Sequence, residues 1–282
     1  MVVSNTIFHE TITMLVFGMV FFCPDSMLGS FESDAISPIQ NAAGVAPFSF
    51  FPSSQGAFSD PTIIEKNQPL FIAGSYNRKF GLKSLSESLF VIGGSTNEFG
   101  LGFGISQFGN LNYAETLVSF MGSKNIKDVL IFAVAINYYQ LNIKNYGNAA
   151  TVGTRISLRY KMNSKIESII SMLNPTGTRI GQTKEKLPQI IIAGFMAKPT
   201  EKIMAQISLV QDTEFPVSTR FGLVYKLFHN FGIAMGKVNQ PNIITTGGYL
   251  NWKNLQIEIG ILSYVDLGLI TYQTGISFTR IP

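Results

Sequence analysis

Phe99-Gly100-Leu101-Gly102-Phe103-Gly104-Ile105-Ser106-Gln107 alternates large apolar side chains with glycine or serine over its first eight positions. That period of two places Phe99, Leu101, Phe103 and Ile105 on one face of an extended strand and leaves the other face nearly bare. The pattern recurs down the chain. Over residues 154–161, Ile156, Leu158 and Tyr160 alternate with Arg155, Ser157, Arg159 and Lys161; over 255–261, Leu255, Ile257, Ile259 and Ile261 alternate with Gln256, Glu258 and Gly260. In the final segment Ile270, Tyr272, Ile276 and Phe278 oppose Thr271, Gln273, Gly275 and Ser277. From about Pro69 onward the chain is a succession of such segments, separated by short turns rich in Gly, Asn, Lys and Pro.

A soluble sandwich also alternates, so composition has to choose between the two. Only 13% of the 282 residues are charged and 26 are glycine, fewer charges than the roughly 25% of soluble proteins. Past residue 30 there is no apolar run of the roughly 18 residues that a spanning helix needs. A closed barrel is the other structure that satisfies its own backbone in lipid. Stretches 126–142 and 148–162 exceed ordinary strand length and suit a tilted wall. The apolar stretches 130–136 and 190–195 do not fit a sheet with one wet face. The expectation is an all-β, transmembrane, antiparallel up-and-down β-barrel of about 14 strands. Aromatics near strand ends, among them Tyr76, Tyr138, Tyr139, Tyr146, Tyr249 and Trp252, are expected at the headgroup level.

The first residues read differently. The apolar stretch 12–22 (ITMLVFGMVFF), followed by CPDSMLGS, reads as a secretory signal peptide over 1–29, with no Lys or Arg ahead of it. The one cysteine, Cys23, falls inside it, so the mature chain is expected to lack a thiol. Residues 30–68 alternate poorly and carry Pro38, Pro47, Pro52 and Pro61; they are expected to be a plug packed in or beneath a barrel formed by 69–282.

Enzyme chemistry finds no foothold. The chain has two histidines, His9 in the leader and His229 in a turn, and no Cys/His cluster or HExxH helix. Gly100 to Gly104 lies within a strand and is no dinucleotide loop. The expectation is no catalytic residue, no metal and no cofactor. A net charge of +4 comes from scattered Lys and Arg, which argues against a nucleic-acid partner. One constellation has content: if Arg155, Arg159 and Lys161 face the lumen they form a basic stripe. It would favour anionic solutes, bind an acidic plug, or be neutralised by Glu258, Glu115 or Glu167. The bare face of Gly100, Gly102 and Gly104 either makes room for the segment around Asn41 or lets the wall curve. Residues 174–186 (NPTGTRIGQTKEK) are the longest polar interruption, long enough to reach over or into the lumen.

The stretch 34–46, Asp-Ala-Ile-Ser-Pro-Ile-Gln-Asn-Ala-Ala-Gly-Val-Ala, resembles the mature start of FadL-like and PorV/PorQ-type outer-membrane proteins, an Asp-Ala followed by Asn-Pro-Ala-Gly-Leu-Ala. Here Ala42 stands for the Pro and Val45 for the Leu. Residues 170–174 with Leu187-Pro188, and the stretches 221–225, 242–247, 255–260 and 266–277, are similar to later parts of those barrels. The resemblance implies a bacterial outer-membrane location in contact with lipid, a plug motif at Asn41 and Gly44, and a non-enzymatic task. The compact length is closer to PorV/PorQ, which implies a component of envelope secretion or surface attachment with secretion-system partners. The alternative is FadL-like passive transport of a small hydrophobic ligand.

Overall fold

A computed structural model describes residues 30–31, 37–46, 48, 53–213 and 215–280; the leader and Cys23 lie outside them. Fourteen strands close into one antiparallel barrel. The wall begins with β1 (Phe71–Arg78), β2 (Ser86–Thr96), β3 (Phe99–Gly109), β4 (Tyr113–Ile126), β5 (Leu130–Ile143), β6 (Gly147–Lys161) and β7 (Ile166–Leu173). A hairpin of two short strands follows, β8 (Arg179–Ile180) and β9 (Glu185–Lys186). The wall resumes with β10 (Ile190–Thr200), β11 (Ile203–Asp212), β12 (Ser218–Lys226), β13 (Phe231–Val238), β14 (Ile243–Trp252), β15 (Leu255–Tyr264) and β16 (Leu269–Thr279). Pairing of β1 with β16, Phe71 opposite Thr279, closes the ring and removes both sheet edges. β7 pairs directly with β10 across the excursion of the hairpin.

Register follows from which side chains lipid will accept. Each alternating set faces outward with its apolar members: Leu101 is 71% exposed, Phe120 58% and Ile259 52%. Such a belt around a closed sheet is the surface of a membrane-spanning barrel. On it Phe103 and Phe120 meet ring to ring at 5.2 Å. Tyr146, Phe228 and Trp252 lie exposed at the rims. Tyr139 and Tyr249 instead turn inward and are buried, because they share strand parity with lumen-facing neighbours. The stretch 126–142 is also not one strand: a turn at 127–129, with Lys127 and Asp128 at positive φ, separates β4 from β5.

The two rims differ. At the terminal rim, where β1 starts and β16 ends, the turns are short: 97–98, 127–129, 162–165, 201–202, 227–230 and 253–254. The opposite loop rim carries the longest connection, 174–189.

Residues 37–46 and 53–64 run through the interior, and Glu65 and Lys66 bring the segment out at the terminal rim. Helix α1 (Pro38–Ala42) is short and wholly buried. Its start is specified locally: the Ser37 hydroxyl accepts from Gln40 N at 3.2 Å, the Gln40 side chain accepts from Ser37 N at 3.1 Å, and Pro38 takes the first turn. Its end is set by Gly44 at φ +86°, a conformation open to glycine.

Candidate functional site

The interior segment has two halves, attached to the wall by different chemistry. In the first half, α1 and its exit lie against β11 to β16 mainly through neutral contacts. Asn41 Nδ2 donates to Gln273 Oε1 at 2.6 Å. The Thr245 hydroxyl donates to Ala42 O at 2.8 Å and accepts from Gly44 N at 3.1 Å, while Gln206 Nε2 donates to Ala43 O at 2.6 Å. Gly44 passes so close to the wall that a Cβ there would sit 2.3 Å from Phe221 O; Gly222 and Gly236 are equally tight against Ala43 O and Gly44 N. Backbone packs on backbone at this point. Buried Glu258, on β15, accepts from Ile39 N at 3.2 Å.

In the second half, 53–66, charge dominates. Arg155 Nη1 donates to Ser59 O at 2.6 Å. Arg159 donates from Nε to the Thr62 hydroxyl at 2.9 Å and from Nη2 to Asp60 Oδ2 at 2.5 Å, and its Nη1 lies 3.6 Å from Glu65 and 3.8 Å from Glu167. Lys161 Nζ reaches Glu65 Oε2 at 2.6 Å. All three basic residues on β6 therefore face inward onto this segment. Glu167 joins them; Glu258 does not, and Glu115 lies elsewhere, bonded by the Tyr113 hydroxyl. Asp60 and Glu65, the principal partners, were not singled out from sequence. The available signal was that they are the only acids between Ser37 and Gln68.

The glycine face of β3 takes up this second half, not the region of Asn41. A Cβ on Gly100 or Gly102 would lie within 3 Å of Ile64, and one on Gly104 2.5 Å from the Phe58 ring.

Above α1, toward the loop rim, the lumen opens into a cavity of about 380 Å³. Val210, Val238, Ile243 and Leu262 supply an apolar ring, Asn41, Val45 and Gln273 form its floor, and Lys79, Asp212 and Arg220 stand at its mouth. The Arg220 guanidinium donates to Val45 O at 2.5 Å, tying mouth to floor. Residues 174–186 form the β8–β9 hairpin at the same rim, on the β5–β6 side; Ile180 and Leu187 are buried with Tyr139, Leu141 and Phe31. Among the described residues no His, Cys, Asp or Glu cluster could hold a metal ion, and His229 is an exposed turn residue.

A closed membrane-spanning barrel with an internal N-terminal segment and a mixed apolar pocket above it defines the structural class. Solved structures share that fold. The "CymD monoaromatic hydrocarbon channel" aligns with TM-score 0.66 at 9% identity, over 90% of this chain and 100% of that one. The toluene transporter TbuX of Ralstonia pickettii aligns with TM-score 0.62 at 10% identity, over 89% and 100%. A FadL homologue of Pseudomonas aeruginosa gives TM-score 0.62 at 8% identity, again over 89% and 100%. No protein-family model matches the chain, and no curated protein matches it.

Proposed function

We propose that the chain is a passive outer-membrane channel for small hydrophobic compounds, with no catalytic step. The observation that carries this reading is the cavity of about 380 Å³, ringed by Val210, Val238, Ile243 and Leu262 and floored by an interior segment held mainly by neutral hydrogen bonds. The lining is mixed, with Asn77, Lys79, Asp212, Arg220 and Gln240 among its polar members; the apolar ring is the part that suits a small ligand that is mostly hydrocarbon. The structures of like fold are a hydrocarbon channel, a toluene transporter and a FadL homologue. They move the reading from the PorV/PorQ-type secretion component expected from sequence to the transporter. The chain divides into a leader (1–29), a plug (30–68) and a wall (69–282). The short-turn rim faces the periplasm and the hairpin rim the exterior, the usual asymmetry of outer-membrane barrels.

The test is uptake. A bacterial strain lacking its own hydrocarbon channel, expressing this chain, is expected to take up radiolabelled toluene faster than the same strain with empty vector. Val238→Trp with Leu262→Trp, which fills the ring, is expected to return uptake to the vector level while the barrel still shifts on boiling. Wild-type uptake equal to vector would overturn the proposal.

A further inference from the structure

Residues 30 and 31 lie at the loop rim, under the β8–β9 hairpin. Phe31 packs edge-on against Tyr139 with ring centroids 5.1 Å apart, in the cluster with Leu141, Ile180 and Leu187. Two carboxylates meet the backbone nitrogens here. Ser30 N donates to Glu185 Oε1 at 2.6 Å, and Phe31 N donates to Glu115, which is buried on β4 and also receives the Tyr113 hydroxyl. Neither glutamate has an ion pair with a Lys or Arg among the described residues. Two acids, one of them buried, thus converge on two successive peptide nitrogens with no cation in direct contact, Lys79 acting on Glu115 only from a distance, an arrangement that costs free energy unless positive charge is supplied nearby.

Removal of a leader by a signal peptidase would supply it. Cleavage after the small residue Gly29, at the end of the apolar stretch 12–22 and its polar tail and with Met27 in place of a second small residue, would turn the Ser30 nitrogen from an amide into an ammonium. We infer that Ser30 is the first residue of the mature chain and that its α-ammonium is captured between Glu185 and Glu115, fastening the β8–β9 hairpin over the loop rim. Hydrolysis of the Gly29–Ser30 bond adds water across it, leaving a carboxylate on the released leader and the new ammonium on Ser30. The hairpin is pinned from beneath at Ile180 by Phe31 and at its register partner Glu185 by the new terminus. Processing and closure of this rim are therefore coupled. The inference does not depend on what the channel carries.

The experiment uses protein purified from outer membranes. Intact-mass measurement is expected to give a chain beginning at Ser30; a chain beginning elsewhere overturns the inference. An amine-reactive acetylating reagent at pH 7.5, read on the N-terminal peptide, is expected to label folded protein about tenfold more slowly than unfolded protein, the ratio that one unit of pKa produces. Glu185→Gln is expected to lose most of that protection while retaining its boil-dependent gel shift. Glu115→Gln, on the wall, is the second variant, with the same expected direction. A Ser30 amine that labels at the unfolded rate, or equal protection in wild type and both variants, overturns the capture.

Discussion

Arg159 of β6 and Asp60 of the interior segment meet at 2.5 Å inside the barrel, with side chains only 2% and 1% exposed. A guanidinium held this way by a carboxylate, by the Thr62 hydroxyl and by two further acids leaves little for water to compete for. The half of the plug that contains Asp60 is consequently bound by ion pairs, and the half that contains α1 mainly by neutral hydrogen bonds and glycine contacts, with single bonds from Glu258 and Arg220 beside them. On the transport proposal, a solute leaving the cavity toward the terminal rim would meet the half that contains α1 first.

Removing one member of the charged pair strands the other. Arg159→Ala is expected to destabilise docking of residues 53–66 by about 3–5 kcal/mol, and Asp60→Ala by a similar amount, whereas Arg159→Met with Asp60→Leu recovers much of the loss. Limited proteolysis between Lys66 and the wall reads the effect, with boil-dependent migration reporting on the barrel itself. Equal cleavage of the wild type and both single variants would show that the pair holds nothing.

The contact of Gly222 with Ala43 offers a purely steric probe. A Cβ on Gly222 would lie 2.0 Å from Ala43 O, whereas one on Gly122 meets nothing within 4 Å. Gly222→Ala is expected to lift residues 42–46 off β12 and raise the reactivity of an introduced Ala43→Cys toward a water-soluble maleimide; Gly122→Ala is expected to leave it unchanged. Identical labelling in the two backgrounds would mean that α1 is not seated against β12.

The wall was legible in the sequence because lipid on one side and a filled lumen on the other enforce a strict period of two. Residues 255–261 and 270–278 face as their pattern predicts, and the inward set Arg155, Ser157, Arg159 and Lys161 is as the alternation has it. The turn at 127–129 was hidden because Lys127, Asp128 and Val129 interrupt two apolar strands with no Gly or Pro to mark the break. Tyr139 and Tyr249 misled because an aromatic near a strand end suits a headgroup or a lumen equally well, and only strand parity separates the two. The site was less legible than the wall. Asp60 lies 99 residues before Arg159 and Glu65 96 before Lys161, and pairing at that separation has no local pattern. The cavity is built from single residues of many strands, each an ordinary Val, Ile or Leu.

The apolar belt makes a prediction that separates membrane from soluble folds. Ile259, in the middle of β15 and facing outward, is expected as Ile259→Arg to reduce folding stability in liposomes by about 2–4 kcal/mol, the cost of a cation at mid-bilayer depth. Leu267→Arg, in the exposed turn after β15, is expected to cost about 0–1 kcal/mol, as near an interface. Urea titration of folded, liposome-bound protein measures both. Two equal, small effects would remove the membrane reading and the transport proposal with it.

Thr245 is the point at which plug movement and transport can be tied together. Its hydroxyl serves both Ala42 O and Gly44 N, at 2.8 and 3.1 Å, and so joins the end of α1 to β14 through one atom. Thr245→Val keeps the shape and removes both bonds, leaving a buried carbonyl and a buried amide without that partner, at about 1–3 kcal/mol for each. The effect falls on the neutrally held half and leaves the Arg159–Asp60 half untouched. The Ala43→Cys reporter should therefore react faster while cleavage near Lys66 stays at the wild-type rate. If the solute must displace α1 to leave the cavity, toluene uptake should rise together with the cysteine reactivity. A rise in reactivity with unchanged uptake would show that loosening this half does not open the channel.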